Sequence, residues 1–220
     1  VLTPQRSAFD HIDASLEEQI PQEVHVIRTP YLNTKRHFAI RGVYPSVLAV
    51  PDRWIWWFPW AVRAGKRLFH DDPFELVFST SPHPTSHLIA NHLATRFQKP
   101  WVADFRDPWY EEPPEPGTPL INHWFNRHLE KRIVRRAGRI AASTPSLRDM
   151  MASRYPGQSK EKFQAILNGF DEEDFTLSSG HGKPKPHGQQ LTLLHAGNIN
   201  LEYRDPRPLF RALAKAGSEG

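Results

Sequence analysis

The chain has 220 residues, and its 28 Lys and Arg residues exceed its 24 Asp and Glu residues to give a formal net charge of +4 at pH 7. It contains no cysteine, which excludes a disulfide framework, a thiolate metal site and a cysteine nucleophile. Its longest apolar run, from Trp54 to Val62, is nine residues long and includes Pro59. Because a membrane-spanning helix needs about 20 apolar residues, we expect a soluble chain.

Strand and helix patterns alternate through the centre of the chain. The apolar segment Phe74–Ser79 predicts a buried strand, and Ser81 followed by Pro82 predicts a helix with Ser81 as its N-cap. Trp101–Phe105 predicts a second strand between two prolines. Apolar residues at helical spacing from Leu120 to Ala137 then predict a long helix.

The alternation continues towards residue 170. Arg139–Ser143 predicts a third strand, Thr144 is the expected N-cap of a helix over Pro145–Tyr155, and Phe163–Leu167 predicts a fourth strand. Val24–Ile27 is a weaker strand candidate for the same sheet. Strands and helices in this order, joined by short links, indicate right-handed βαβ units. We therefore predict an α/β fold with a doubly wound, Rossmann-like parallel sheet.

The composition changes after the fourth strand. Residues 176–189 are rich in Gly, Pro and Ser, which predicts a linker. A strand at 191–195 and a helix at 206–216 follow, and two elements are too few to bury a core. We therefore predict a first domain at 1–175 and the opening βα unit of a second domain at 190–220. The first residue is not Met, the predicted sheet lacks its first strand and the second domain contains one βα unit, so we expect a chain that is truncated at both ends and inactive by itself.

Polar residues follow the predicted strands, at the sheet edge where α/β proteins bind ligands. In Asp104-Phe105-Arg106-Asp107-Pro108-Trp109, two carboxylates flank one arginine. Strand alternation places Asp104 and Arg106 on one side, with Asp107 at the turn. A catalytic site and a structural Arg–Asp ion pair both fit this pattern. The other strand ends contribute five candidate residues for binding in the crevice: Thr80, Ser81, Thr144, Asn168 and Asp171.

Four segments, taken in order, resemble a subgroup of the group 1 (family 4) glycosyltransferases. They are Pro51–Trp54, Trp101–Trp109, Asn168–Asp171, and His195–Gly197 with Arg204–Pro208. The resemblance covers most of the chain from about Val24 onward. It implies a GT-B architecture, in which residues 1–175 form the acceptor-side domain and residues 190–220 open the nucleotide-sugar-binding domain.

The resemblance also implies a reaction. Family members transfer a sugar from a nucleotide-sugar to an acceptor with retention of configuration, and they need no metal or other cofactor. Basic side chains and helix N-termini neutralise the leaving diphosphate. At the family's Gly-Arg pair this chain has Gly197 and Asn198, and Arg204 lies near the position of the family's lysine. We expect these three residues to bind the donor diphosphate and the acceptor to be a polysaccharide or a lipid-linked glycan.

Many family members carry a histidine that faces the sugar at the end of the second strand. This chain has Arg106 and Asp107 at that strand end. Our hypothesis is that Asp107 positions a substrate sugar and that Asp104 and Arg106 support it. These three residues are therefore the predicted catalytic residues.

Two segments combine aromatic or apolar residues with cations. The first places Trp54, Trp56 and Trp57 before Arg63, Lys66 and Arg67. The second is the helix over 120–137, which has a basic face opposite an apolar face. Both patterns are typical of helices on anionic membranes, but they are more often aromatic residues in a core beside solvated cations. We expect a cytoplasmic protein, peripheral at the inner membrane face if these segments bind lipid.

Other functions stay open at this stage. A GT-B sugar-nucleotide epimerase shares the architecture, and a non-catalytic α/β module would bind anionic ligands or membranes. No nucleic-acid partner is expected, because no recognition motif accompanies the mild positive charge. The sequence also lacks a P-loop and a Gly-x-Gly-x-x-Gly motif. His83, His87 and His92 are not spaced to share a metal ion.

Overall fold

The computed structural model describes residues 1–9, 12–114, 117–170, 172, 193–195, 199 and 205–218. The strands in these residues are β1 (Leu2–Pro4), β2 (Ile27–Thr29), β3 (Val77–Thr80), β4 (Trp101–Phe105), β5 (Arg139–Ala142) and β6 (Phe163–Ala165). The α-helices are α1 (Ala14–Glu18), α2 (Phe58–Asp71), α3 (Pro84–Phe97), α4 (Leu120–Arg136), α5 (Pro145–Arg154) and α6 (Arg207–Ser218).

The chain divides into two units, residues 1–169 and residues 170–220. Within the second unit, α6 confirms the helix predicted over 206–216. The predicted linker at 176–189 lies outside the described residues, and the proposed domain limits stay predictions. The strand predicted at 191–195 is described only at 193–195, and these residues are not in a strand.

A parallel sheet with the order β3-β4-β5-β6 organises the first unit. Thr80 pairs with Asp104, and Phe105 pairs with Ala142, so the carboxyl ends of β3, β4 and β5 reach the same edge. A separate parallel pair joins β1 to β2. The mixed α/β fold with parallel sheets confirms the predicted Rossmann-like class. The weak strand predicted at Val24–Ile27 forms instead as β2, three residues later.

The main core lies between one face of the sheet and helices α3, α4 and α5. Side chains alternate along β4, where Trp101, Ala103 and Phe105 point into this core and are buried. The helices cover them with apolar residues that include Ala90, Ala94, Ile133, Val134, Leu147 and Met151. Burial of this apolar surface is the main stabilising contribution to the unit.

The predicted buried strand at Phe74–Ser79 is wrong in two respects. The strand begins at Val77, and Phe78 is 59% exposed. Phe78 points away from the three helices, and no described element covers that face at the edge strand. The strand therefore buries Ser79 inward and leaves its outward face open.

The predicted start of α3 is also wrong, because His83 occupies the N-cap position without a capping bond and a distant residue, Asp52, supplies the capping hydrogen bonds instead. The helix begins at Pro84, and Ser81 lies outside it. The carboxylate of Asp52 accepts hydrogen bonds from the backbone N–H of Thr85 at 2.7 Å and from its hydroxyl at 2.9 Å. The same carboxylate accepts from the backbone N–H of Trp54 at 2.6 Å. One acidic side chain thus caps the helix and fixes the segment that precedes α2.

The tryptophans before α2 belong to the interior of the protein. Trp54 and Trp57 are buried, and Trp57 Nε1 donates to Thr29 Oγ1 at 2.7 Å. Trp56 is half-buried, and its Nε1 donates to the carbonyl oxygen of Leu48 at 3.0 Å. The hypothesis that these side chains bind a membrane is therefore wrong for Trp54 and Trp57, because they pack against the protein. The cations that follow are exposed: Arg63, Lys66 and Arg67.

A buried carboxylate joins α4 to α5. Glu130 is completely buried, and its Oε1 accepts from the Tyr155 hydroxyl at 2.5 Å and from Arg154 Nη1 at 3.1 Å. The Arg154 guanidinium also lies 4.3 Å from the ring centroid of Tyr110, in the loop that follows β4. Burial raises the pKa of Glu130, and the bonds from Tyr155 and Arg154 oppose this shift only in part. This cluster holds the loop after β4 against the helices.

Replacing Asp52 tests the cap of α3. We expect Asp52→Ala to lower the free energy of unfolding by about 1–2 kcal/mol, because the helix loses its N-cap and two backbone N–H groups lose their acceptor. Urea denaturation followed by tryptophan fluorescence measures this change. Asp149→Ala, which removes an exposed carboxylate on α5, is the matched control and should change stability little. Equal stability of the two variants would contradict the assigned cap.

Replacing Glu130 tests whether burial raises the pKa of this carboxyl group and so makes stability depend on pH. An acid whose pKa is raised in the folded state binds its proton more tightly there, so stability falls as pH rises above its ordinary value of 4.5. Glu130→Gln removes this titration. We therefore expect the stability of Glu130→Gln relative to the wild type to increase between pH 4.5 and pH 7, as measured by urea denaturation across that range. A difference that does not change with pH would contradict the expectation.

Candidate functional site

The carboxyl edge of the sheet is held together by two serine hydroxyls. Arg106, the first residue beyond β4, donates its backbone N–H to Ser81 Oγ at 2.8 Å. Its carbonyl oxygen accepts from Ser143 Oγ at 2.7 Å. Both serines are buried and follow the neighbouring strands β3 and β5. The path of the chain out of β4 is therefore fixed from both sides, which sets the direction of the following turn.

Asp104 and Arg106 lie on the same side of β4, as strand alternation predicts. Arg106 Nε lies 3.7 Å from Asp104 Oδ2, and the Thr80 hydroxyl donates to the same oxygen at 2.7 Å. The pair faces solvent on the arginine side, and such pairs contribute about 1 kcal/mol or less. The structure thus brings three of the predicted site residues together. Both partners contact Asp104 Oδ2, so the geometry favours a supporting role for this carboxylate.

Asp107 is exposed at the turn and lines a small pocket of about 130 Å³. Ser81 is another predicted site residue in its wall. The rest of the wall consists of rings and one imidazole: Pro51, Pro82, Pro84, His87, Phe105, Pro108 and Trp109. A carboxylate beside aromatic and proline rings is suited to bind a small polar group whose other surface is apolar.

His87 is a site residue that sequence analysis did not identify. Its ring is buried and stacks on Phe105 with 4.7 Å between ring centroids. Nδ1 lies 2.8 Å from Ser79 Oγ, which also accepts from Trp101 Nε1 at 2.9 Å. Burial lowers the pKa of His87 to about 3, so the imidazole is neutral at neutral pH. The sequence shows only a histidine near the start of a helix after β3, and tertiary structure places it beside Asp107.

Of the remaining predicted site residues, two lie in the described part of the chain and four lie outside it. Thr144 confirms its predicted capping role, because its Oγ1 accepts from the backbone N–H of Leu147 at 3.1 Å at the start of α5. Asn168 is exposed beyond β6. Neither lines the pocket beside Asp107. Four residues lie outside the described part of the chain: Asp171, Gly197, Asn198 and Arg204.

The described residues contain no group of three His, Asp or Glu side chains arranged to hold a metal ion. The helices in the same residues are all too short or too polar to cross a membrane.

Comparison with known proteins supplies the family. No curated protein matches the chain. The model of the family described as Glycosyltransferase Family 4 matches residues 17–174, well over half of the chain. The matched residues include the whole β3–β6 sheet, the serine-held turn after β4 and the pocket beside Asp107. The chain therefore belongs to glycosyltransferase family 4, as its sequence motifs and its Rossmann-like parallel sheet both indicate.

Proposed function

We propose that this chain supplies the acceptor-side domain of a retaining glycosyltransferase that uses a nucleotide-sugar donor and a lipid-linked glycan or polysaccharide acceptor. Membership of the family supports sugar transfer in general. The observation that carries the proposal further is the exposed Asp107 carboxylate beside a ring-lined pocket at the carboxyl edge of the sheet. This is the edge at which α/β folds bind substrates.

We assign separate roles in sugar transfer to the residues of the turn after β4. The serine-held backbone of Arg106 and the Asp104–Thr80 bond keep the turn rigid, so that Asp107 meets a sugar hydroxyl without reorganising. During transfer the bond between the anomeric carbon and the donor diphosphate breaks. The acceptor oxygen bonds to that carbon on the same face, and its proton passes to the departing phosphate oxygen.

Neutralisation of the leaving diphosphate is assigned to residues of the second domain. Gly197, Asn198 and Arg204 are the proposed contacts, and an arginine can bind phosphate through two parallel hydrogen bonds. We propose that no metal ion is required, since cationic side chains and backbone N–H groups supply the compensating charge.

An exposed patch on α4 supports a membrane-bound acceptor. Leu120 is 77% exposed and Trp124 is 51% exposed, and Ile121 and Phe125 beside them are also exposed. Monomeric proteins in solution seldom expose adjacent large apolar side chains unless the surface binds something. The same helix then carries five exposed cations: Arg127, Lys131, Arg132, Arg135 and Arg136. Apolar residues followed by cations match the interface of an anionic bilayer.

A second group of exposed apolar residues lies on and near a segment that contacts α4. The segment Ser46–Ala49 packs near α4, and Ser46 Oγ donates to Asn122 Oδ1 at 3.5 Å. Val47 within that segment is exposed, and Ile40 shortly before it is 80% exposed. We therefore propose that α4 and this segment dock on anionic lipid. The sequence suggested that Trp54 and Trp57 bind the membrane. We assign membrane binding instead to α4 and the segment Ser46–Ala49.

Replacing Asp107 tests the proposed catalytic role. We expect Asp107→Ala to lower kcat/KM by about 10- to 100-fold, because a charged hydrogen bond to the substrate is lost. Transfer of radiolabelled sugar from a panel of nucleotide-sugars to extracted membrane glycolipids and glycans measures this. Asp149→Ala, on an exposed face of α5, is the matched control and should keep full activity.

The same assay separates the competing functions. Full activity of the Asp107→Ala variant would show that Asp107 has no role in the reaction. Inversion at C2 of the donor sugar without transfer would indicate an epimerase. Binding of nucleotide-sugar without turnover would indicate a non-catalytic module.

The membrane proposal is tested by sedimentation with vesicles of phosphatidylglycerol and phosphatidylethanolamine. We expect the wild type to sediment at low salt and to be released as salt rises, since screening weakens the attraction of cations to lipid. The Leu120→Ser/Trp124→Ser double variant should lose most binding. Phe78→Ser, which changes an exposed aromatic residue on the sheet, should keep it. Failure of the wild type to sediment at low salt would refute docking.

A further inference from the structure

His87 has one nitrogen with a hydrogen-bond partner and one without. Nδ1 contacts Ser79 Oγ at 2.8 Å. Nε2 is completely buried and has no partner among the described residues. A buried polar atom of this kind normally bonds to a water molecule or a ligand. His87 lines the pocket that also contains Asp107, so a small outward shift of the pocket wall would bring the free nitrogen within reach of a group bound there.

The hydrogen bonds around Ser79 indicate which nitrogen carries the proton. Trp101 Nε1 can only donate, and it donates to Ser79 Oγ at 2.9 Å. If the Ser79 hydroxyl then donates to His87 Nδ1, the polar groups of the Trp101, Ser79 and His87 side chains all have partners except Nε2 of His87. In the opposite arrangement the Ser79 proton and Nε2 would both lack partners. The first arrangement is favoured because unpaired buried groups are costly, and it makes Nε2 a donor.

The wall of the pocket restricts the ligand. Its charged group is the Asp107 carboxylate, and the lining contains no Lys or Arg. A phosphate or diphosphate would therefore meet an anion with no cation to balance it. The other surfaces are the rings of Phe105 and Trp109 and four prolines, which contact C–H groups well. A space of about 130 Å³ holds a few water molecules or one corner of a sugar.

We propose that this pocket binds a hydroxyl group of the acceptor sugar, which accepts a hydrogen bond from His87 Nε2–H and donates one to the Asp107 carboxylate. A hydroxyl is the group that accepts and donates at the same time, and a neutral donor opposite a carboxylate selects it over an anion. The acceptor is assigned because the pocket lies within the first unit. This assignment rests on the proposed transferase function, whereas hydroxyl binding itself does not.

Nuclear magnetic resonance of the full chain labelled with ¹⁵N-histidine tests the site directly. We expect His87, identified by its loss in His87→Gln, to be the Nε2–H tautomer and to stay neutral down to pH 5. Glycerol and the methyl glycosides of glucose, galactose and mannose are added up to about 0.5 M, because ligands of this size bind weakly. At least one should shift the Nε2 resonance, and inorganic phosphate should not. The Nδ1–H tautomer, or no shift with any of the four probes, would show a site for water only and overturn the proposal.

Two variants separate binding from structural support in the transferase assay. His87→Asn keeps an amide near Nδ1 for Ser79 and removes the donor at Nε2, whereas His87→Gln places an amide near Nε2. We expect His87→Asn to raise KM for the acceptor about tenfold, with the KM for the nucleotide-sugar unchanged and recovery in His87→Gln. A lower unfolding midpoint for both variants with unchanged acceptor KM would assign His87 to structure alone. A change in donor KM instead would overturn the choice of acceptor.

The two proposals fail in different ways. If the wild type transfers no sugar from any nucleotide-sugar, the proposed function fails, and the resonance titration still decides whether the pocket binds hydroxyl groups. If transfer occurs and the probes leave His87 unchanged, the function stands and the hydroxyl site is refuted.

Discussion

The site depends on two hydroxyl groups that control where β4 ends. A strand that leaves a sheet exposes a backbone N–H and a carbonyl oxygen, and both need partners when they are buried. Ser81 and Ser143, which follow the neighbouring strands, satisfy these groups on Arg106. Because the sheet is parallel, the serines and the turn lie at one edge. Asp107 directly follows Arg106, so the hydrogen bonds that fix Arg106 also determine where Asp107 lies in the pocket lining.

Buried and half-buried polar groups elsewhere in the unit join one element to another. The carboxylate of Asp52 caps α3, Glu130 joins α4 to α5, and His87 joins α3 to β3 through Ser79. A buried polar group without a partner costs more than a paired one contributes, so each cluster specifies one packing arrangement. Within these clusters Oε2 of Glu130 and Nε2 of His87 have no partner among the described residues, and His87 is the one that lines the pocket. The position of His87 in the pocket lining is therefore what connects its unpaired nitrogen with the proposed ligand.

The first unit presents two surfaces of different chemistry. The pocket beside Asp107 combines a carboxylate, a neutral imidazole and rings, which suits neutral hydroxyl groups. The patch on α4 combines exposed apolar residues such as Trp124 with cations, which suits anionic lipid. In the proposed function, the pocket binds the acceptor sugar and the patch binds the membrane in which a lipid-linked acceptor lies.

The sequence alone determined the α/β class and the succession of β3–β6 and their helices along the chain. It also determined the Thr144 cap and the placement of Asp104 and Arg106 on one side of β4. These features depend on periodicity and on residues that are close together in the chain, and the motifs also indicated the family that the comparison confirmed. Only the tertiary structure decided that Asp52 rather than Ser81 caps α3 and that Trp54 and Trp57 are buried. It also brought His87 beside Asp107 and left one face of β3 open. The physical reason is that burial and hydrogen-bond partners depend on which elements pack together, and local patterns of residues do not contain that information.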